Sequence, residues 1–195
     1  MKSENETLLI INEAVREIIR DDGVENLSIR KICKKAGFSV GTFYNYYENK
    51  ADLLYNNLLS ADKHIEEYIV PNFSGEESDM LFQIMFGFIQ RSCSCGWKVT
   101  AEMLSYLYRS PTTCEELFKR PLYIRTYNVI MSGQNRNIFI TNISAQELSF
   151  QAISFARSLS AEWARLQGSY DILEKSPLYL KRWISCICTA QSGGL

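Results

Sequence analysis

One glycine splits a stretch of this chain into two short helical patterns set at an angle, and that turn limits the fold more than any other feature. In SIRKICKKAGFSVGTFYNYY, Ser28 to Tyr47, Ser28 is a helix N-cap whose hydroxyl can accept from a backbone N–H in the first turn. Ile29, Ile32, Cys33 and Ala36 recur at one-turn spacing and form a narrow apolar stripe, while Arg30, Lys31, Lys34 and Lys35 fall off it. Gly37 stands where a helix ends in positive φ. Phe38 is placed to plug the angle, and Ser39 caps a second helix. In that helix Val40, Gly41, Thr42 and Tyr44 face outward, whereas Phe43 and Tyr47, four apart, face the core. A helix so short and polar adds little to an interior. It suits presentation to the major groove of DNA.

Charge is concentrated in the same place. Between Ser28 and Lys50 five basic residues face a single acid, Glu48, although the whole chain carries a net charge of −1. A compact basic patch on a mildly acidic chain is the electrostatic footprint of a nucleic-acid site. A basic helix face by itself would be only a solvated surface. The cap, the glycine turn and the polar second helix give it direction.

The run SIRKICKKAGFSVGTFYNYYENKADLL resembles the DNA-binding domain of the tetracycline-repressor (TetR) family of transcription regulators. Matching residues are Ser28, Ile32, Ala36, Gly37, Ser39, Gly41, Thr42, Tyr44, Lys50, Asp52 and Leu53. Departures are Cys33 for Ala, Phe38 for Val, Phe43 for Leu, Tyr46 for the common His and Tyr47 for Phe, most of them size-tolerant core exchanges. The likeness extends from Asn5 to about Leu59; beyond that only length and helical pattern agree. It implies that Ser28, Thr42, Tyr44, Tyr46 and Lys50 hold phosphates, which sets register without reading sequence. Val40 and Thr42 would approach base edges, Val40 by apolar contact alone. Gly41 would let the helix lie close to the sugar-phosphate wall, with Ser39 at its cap and Lys35 as a further contact.

An apolar fraction of 46% supports a packed core, and 22% charged residues suits a water-exposed surface. No signal-peptide pattern and no apolar run of membrane-spanning length occurs, which places the protein in the cytoplasm with no membrane partner. Six cysteines, including Cys93-x-Cys95 and Cys186-x-Cys188, lack the pair spacing of structural zinc, and His64 is the lone histidine. Most of the cysteines are therefore expected as small buried residues in a reducing compartment, with a redox role for Cys93 or Cys95 as the lesser alternative. No metal, cofactor or catalytic set is expected, so an enzyme is disfavoured.

The rest of the chain has a helical pattern throughout. The expected fold is all-α: a three-helix helix-turn-helix domain over residues 1–50, then a larger ligand-binding and dimerisation domain over 51–195, about nine helices in all. The first helix opens near Ser3 at a Ser-x-x-Glu capping box and stops at Gly23. A connecting helix spans 49–69, and Pro71 with the polar stretch to Asp79 breaks it. Later helices are expected from Met80 to Arg91 or Cys95 and from Trp97 to Tyr108. Another runs from the Thr113/Glu116 capping box to Gly133, with Pro121 kinking or restarting it. The last two are Ala145 to Leu166 behind a Ser144/Glu147 capping box, and a helix capped by Ser176 with Pro177 at its first position.

Those last two helices are apolar on more than one side and so must bury more than one side. Leu148, Ala152, Ala156, Leu159, Trp163, Leu180, Trp183, Ile184 and Ile187 are the expected two-fold interface of a homodimer. A dimer is also what a single turn motif needs to read a palindromic operator in double-stranded DNA. Aromatic residues at helical spacing are more often core than ligand wall. The family likeness nevertheless implies a pocket for a small hydrophobic or aromatic effector near Met85, Phe86, Trp97, Met103, Tyr106, Tyr127 and Phe155. The competing possibility is a small-molecule sensor of the same fold that docks no operator.

Overall fold

The structure is a computed structural model that describes residues 4–50, 52–54, 56, 75–109 and 112–189. Among them are nine α-helices and one short 3-10 turn. The first unit contains α1 (Glu4–Asp22), the 3-10 turn (Val24–Asn26), α2 (Ile29–Ala36) and α3 (Val40–Tyr44). Ile11, Val15 and Ile18 of α1 meet Val24, Leu27, Ile32, Cys33, Phe43 and Tyr47 in one core. The Ser3 capping box lies outside the described residues. Of the expected helix 49–69, residues 49, 50, 52–54 and 56 are described, and all but Asn49 are helical. Its start is capped reciprocally: Asp52 N–H donates to Asn49 Oδ1 at 2.9 Å, and Glu48 N–H donates to Asp52 Oδ2 at 2.9 Å. His64 is not among the described residues.

The second core is built around α4 (Glu77–Cys95), which α7 (Pro121–Asn135), α8 (Ala145–Arg165) and α9 (Ile172–Ile187) all pack against. Leu81, Ile84, Met85, Phe88 and Ile89 form one broad buried face of α4, with Met80, Phe82 and Phe86 partly buried against the same core. The helix α5 (Trp97–Arg109) packs on α8, and the short α6 (Cys114–Phe118) precedes α7. Val99 and Met103 of α5 belong to the N-terminal core, so the two cores meet at this helix. Among the described residues, no helix is long and apolar enough to cross a membrane.

Several helix ends differ from expectation, each for a local reason. The helix α4 begins at Glu77 rather than Met80. The Glu76 carbonyl accepts from Asp79 and Met80, and acids fill the first turn, where the helix dipole favours them. Glu77 is also anchored: its carboxylate accepts from Ser132 Oγ at 2.7 Å and from Arg136 Nη1 at 2.8 Å, tying the start of α4 to the end of α7. Pro121 restarts the chain as the first residue of α7, and Thr113 forms its full capping box with Glu116. Gly133 does not end α7. It is the site where the Phe139 ring crosses the helix, and a Cβ there would stand 2.3 Å from the ring.

The loop after α7 is pinned by a single antiparallel bridge, Phe139 to Cys188, with Ile140 N–H donating to the Ile187 carbonyl at 2.8 Å. Ser144 caps α8 by accepting from Glu147 N–H at 3.2 Å. Ser176 is not the cap of the last helix. Asp171 is, accepting from Leu173 and Glu174 N–H groups, and Ser176 and Pro177 lie inside α9. The cysteines depart further from expectation, since Cys33 is buried but Cys114 and Cys186 are exposed and the other three are partly so.

Candidate nucleic-acid interface

The turn motif forms as its chemistry dictates. Ser28 Oγ accepts from Lys31 N–H at 3.3 Å, Gly37 closes α2 at φ 73°, and Ser39 Oγ accepts from Thr42 N–H at 3.0 Å. The Ser39 and Thr42 hydroxyls also lie 2.9 Å apart, which fixes the Thr42 side chain at the front of α3. Phe43 is buried and stacks at a tilt on Tyr47, their centroids 5.5 Å apart. Burial first, and then the Asp52 charge, raise the Tyr47 phenol above its ordinary range, against a hydrogen bond with Asn12. Tyr47 is thus an interior residue.

The opposite side of α3 is open. Val40 is 39% exposed and Tyr44 54%, with Gly41 between them also at the surface. Tyr44 stands edge-on to Phe43, a contact that steadies a ring otherwise in solvent. Thr42 is half-buried; Tyr46 is half-buried too and leans on the N-terminal core, so it presents an edge where Tyr44 presents a whole ring. Ser28 and Ser39 are exposed, and Lys50 is partly exposed at the first residue of the helix that Asn49 caps.

Gly41 has no reason within the chain to be glycine. A Cβ there would have the Ser39 hydroxyl at 3.6 Å, an ordinary contact, and the residue is helical. Gly37 is different: its positive φ demands glycine, although nothing lies within 4 Å of an added Cβ.

Two of the five basic residues are paired in a way that linear spacing could not reveal. Lys31 Nζ lies 2.7 Å from Asp22 Oδ2, and Lys35 Nζ lies 2.9 Å from Glu17 Oε2 and 3.8 Å from Asp21. The partners come from the end of α1, which packs alongside α2. Lys35 therefore reaches a phosphate only by leaving Glu17. Such half-exposed pairs are worth about 0–1 kcal/mol, so the exchange is cheap. Arg30, Lys34 and Lys50 make no ion pair among the described residues. The free positive charge is smaller than the residue count suggests.

The sequence profile of the bacterial regulatory proteins of the tetR family matches residues 10–55, the span from α1 to the start of the helix after Asn49. Residues 10–55 thus match the tetR-family domain. An HTH-type transcriptional regulator of Staphylococcus aureus (strain USA300) is 35% identical over 54 residues, which is 28% of this chain and 29% of that relative. The chain thus spans less than a third of the curated relatives it matches.

Beyond that domain the likeness is one of fold. The fatty acid degradation regulator FadR from Bacillus halodurans superposes with a TM-score of 0.70 at 17% identity, covering 94% of this chain and 96% of the other. FadR from Bacillus subtilis, solved in complex with stearoyl-CoA, gives 0.64 at 13% identity, covering 90% and 96%. The likeness of fold therefore extends over the C-terminal helices as well.

The residues expected to form the two-fold interface are mostly consumed by the chain's own core. Leu148, Ala152, Ala156 and Leu180 are fully buried, and Trp163, Ile184 and Ile187 nearly so. A side chain already out of water has no area left to bury against a second copy, so the expected face is corrected. Leu159 and Trp183 stay half-buried. Around them lie Phe155, stacked on Trp183 at 6.2 Å, and the exposed Leu166, Leu178 and Tyr179. At 100° per residue, Phe155, Leu159 and Leu166 share one stripe of α8, and Tyr179, Trp183 and Cys186 share one of α9.

The residues expected around an effector are not gathered at one site. Met85 is sealed in the core, Phe86 stacks on Phe82 at 5.5 Å, and Trp97 packs beside Gly168. Tyr127 is half-buried on α7, Phe155 belongs to the α8–α9 surface, and the Tyr106 side chain lies outside the described residues. Met103 alone of the seven borders a cavity of about 470 Å³ between α1, the end of α4 and the start of α5. Arg91 and Arg16 line it too. The sequence carried one clue to Arg91, the single cation on α4.

Proposed function

We propose that this chain is a homodimeric, ligand-responsive regulator of transcription acting in the cytoplasm. It binds a palindromic operator in double-stranded DNA and represses until a small hydrophobic or aromatic effector releases it. Residues 1–50 serve as the DNA-binding domain and 51–195 as the effector-binding and dimerisation domain; no catalytic role is assigned. The observation that carries this reading is the outward face of α3, where Val40, Thr42 and Tyr44 flank a glycine that the chain's own packing does not require. Ser28, Ser39, Thr42, Tyr44, Tyr46 and Lys50 hold the backbone, with Lys35 joining after it leaves Glu17. Val40 and Thr42 meet base edges. The dimer forms through the α8 stripe of Phe155, Leu159 and Leu166 and the α9 stripe of Tyr179 and Trp183, with Leu178 beside it, placing two α3 helices in successive major grooves about 34–36 Å apart.

Support for a small-molecule effector comes from the shared fold of Bacillus subtilis FadR, whose structure holds stearoyl-CoA. A mobility-shift titration of the protein with DNA from upstream of its own gene, over a range of salt, tests the proposal. Binding that weakens steeply with salt is expected, as is its loss in the double variant Tyr44→Ala, Lys50→Ala. Undetectable or salt-insensitive binding overturns it.

A further inference from the structure

The cavity between α1, α4 and α5 has walls of two kinds. Val15, Ile19, Leu54, Val99 and Met103 make it apolar on one side, and Arg91 supplies a cation from the last turns of α4. Its volume, about 470 Å³, lies in the range of roughly 300–1,000 Å³ that small-molecule sites occupy. The Nε of Arg91 is buried without a hydrogen-bond partner. The Nε itself is out of solvent's reach, but the Arg91 side chain as a whole is only part-buried and lines the cavity, and a cation in a largely apolar wall favours a ligand that brings an anionic acceptor. Arg16 also lines the cavity but is largely exposed and turned to Glu13 at 3.1 Å, so the less exposed Arg91 is the anchor.

The backbone around the cavity adds to this. The 13-residue helix α5 starts at Trp97 and brings its positive end to the cavity through Gly96 and Val99. The opposing negative end of α4 is largely quenched. The Ser92 carbonyl accepts from Thr100 Oγ1 at 2.9 Å, that of Cys93 from Gly96 N–H at 3.0 Å, and that of Arg91 from Ser94 Oγ at 2.8 Å. Cys93 borders the same space, and burial, reinforced by the Asp171 charge, pushes its thiol up; it is a neutral wall and not a nucleophile.

We infer that this cavity is an effector site for an amphipathic anion, an apolar small molecule bearing a carboxylate, sulfonate or phosphate that Arg91 receives. The occupant would touch Val15 and Ile19 of α1 and, on its other side, Val99 and Met103 of α5, so it bridges the recognition unit and the C-terminal body directly. A ligand there shifts the operator equilibrium to the extent that it binds the two arrangements of α1 with different affinity. The inference rests on the regulator proposed above for its consequence, but not for binding itself.

The test uses the full-length protein, anilinonaphthalene sulfonate and its uncharged counterpart N-phenylnaphthylamine, read by fluorescence titration. The sulfonate should bind once per chain. Arg91→Met, which keeps the apolar stem, should weaken the sulfonate about tenfold while barely moving the uncharged probe. Ser94→Trp, which fills the cavity from an exposed wall position, should weaken both; melting curves certify that each variant is folded. Equal loss of both probes in Arg91→Met, or unchanged affinities in either variant, overturns the site. Saturating sulfonate should also weaken operator binding about fivefold or more in the wild type and not in Arg91→Met. An unchanged operator affinity overturns the coupling. If no operator is bound at all, the regulator proposal falls, and the fluorescence result still decides the site.

Discussion

Replacing Gly41 by Ala separates the needs of the fold from those of the partner. Gly41 is the second residue of α3, and the added Cβ would have the Ser39 hydroxyl at 3.6 Å, which is normal van der Waals contact. Alanine is favoured over glycine in a helix interior by about 0.8–1.0 kcal/mol, and glycine-to-alanine changes at compatible positions stabilise by about 0.4–1 kcal/mol through the unfolded chain. Near a helix start the lower half of that range applies, so Gly41→Ala should raise the melting temperature by about 1–3 °C for a chain of 195 residues. On DNA the same methyl meets the sugar-phosphate wall. It holds α3 away from the groove and lengthens several charge-assisted contacts together, so operator affinity should fall about tenfold or more. A thermal melt and a fluorescence-anisotropy titration on one preparation measure both. Stability and affinity must move in opposite directions; a lowered melting temperature, or unchanged affinity, would falsify the assignment of Gly41 to an external contact.

Glu17→Gln frees Lys35 from its 2.9 Å partner and should tighten operator binding and steepen its salt dependence by up to about one charge, with stability changed by less than about 1 kcal/mol; an unaltered salt slope would show that Lys35 takes no part. Ser176→Ala removes a buried hydroxyl that has no partner, so it should stabilise by roughly 0.5–1.5 kcal/mol in urea unfolding, whereas a capping serine would lose about 1 kcal/mol on the same change. Glu77 is held below the usual carboxylate range. Burial opposes its ionisation, but hydrogen bonds from Ser132, the backbone and Arg136 outweigh burial. Its contribution is therefore present above the unfolded carboxylate pKa and is lost as pH falls through the depressed folded value. Glu77→Gln should accordingly lower stability at neutral pH and flatten its decline on the acid side, which acid titration followed by circular dichroism will reveal.

Much of the turn motif was legible because every determinant in it is local. Ser28, Gly37 and Ser39 act on backbone groups no more than four residues away, and Phe43 and Tyr47 meet across one helical turn. The same logic located Thr113, Pro121 and Ser144. It failed at the last helix. Ser176 with Pro177 reads as a beginning, but Asp171 caps the helix five residues earlier, where Ile172 enters the core. The cysteines were misjudged for a related reason, since residue type does not say which face of a helix will meet the core.

The amino-acid sequence alone therefore determined most of the helices, most of their caps and the short polar helix turned outward, because those depend on contacts a few residues long. Tertiary structure alone decided which apolar face of α8 and α9 stays at the surface, which lysines α1 neutralises, and where Arg91 meets a cavity with Val15 and Met103. Each of these joins residues far apart in the chain. An apolar stripe records that a surface must be covered, and only packing settles what covers it.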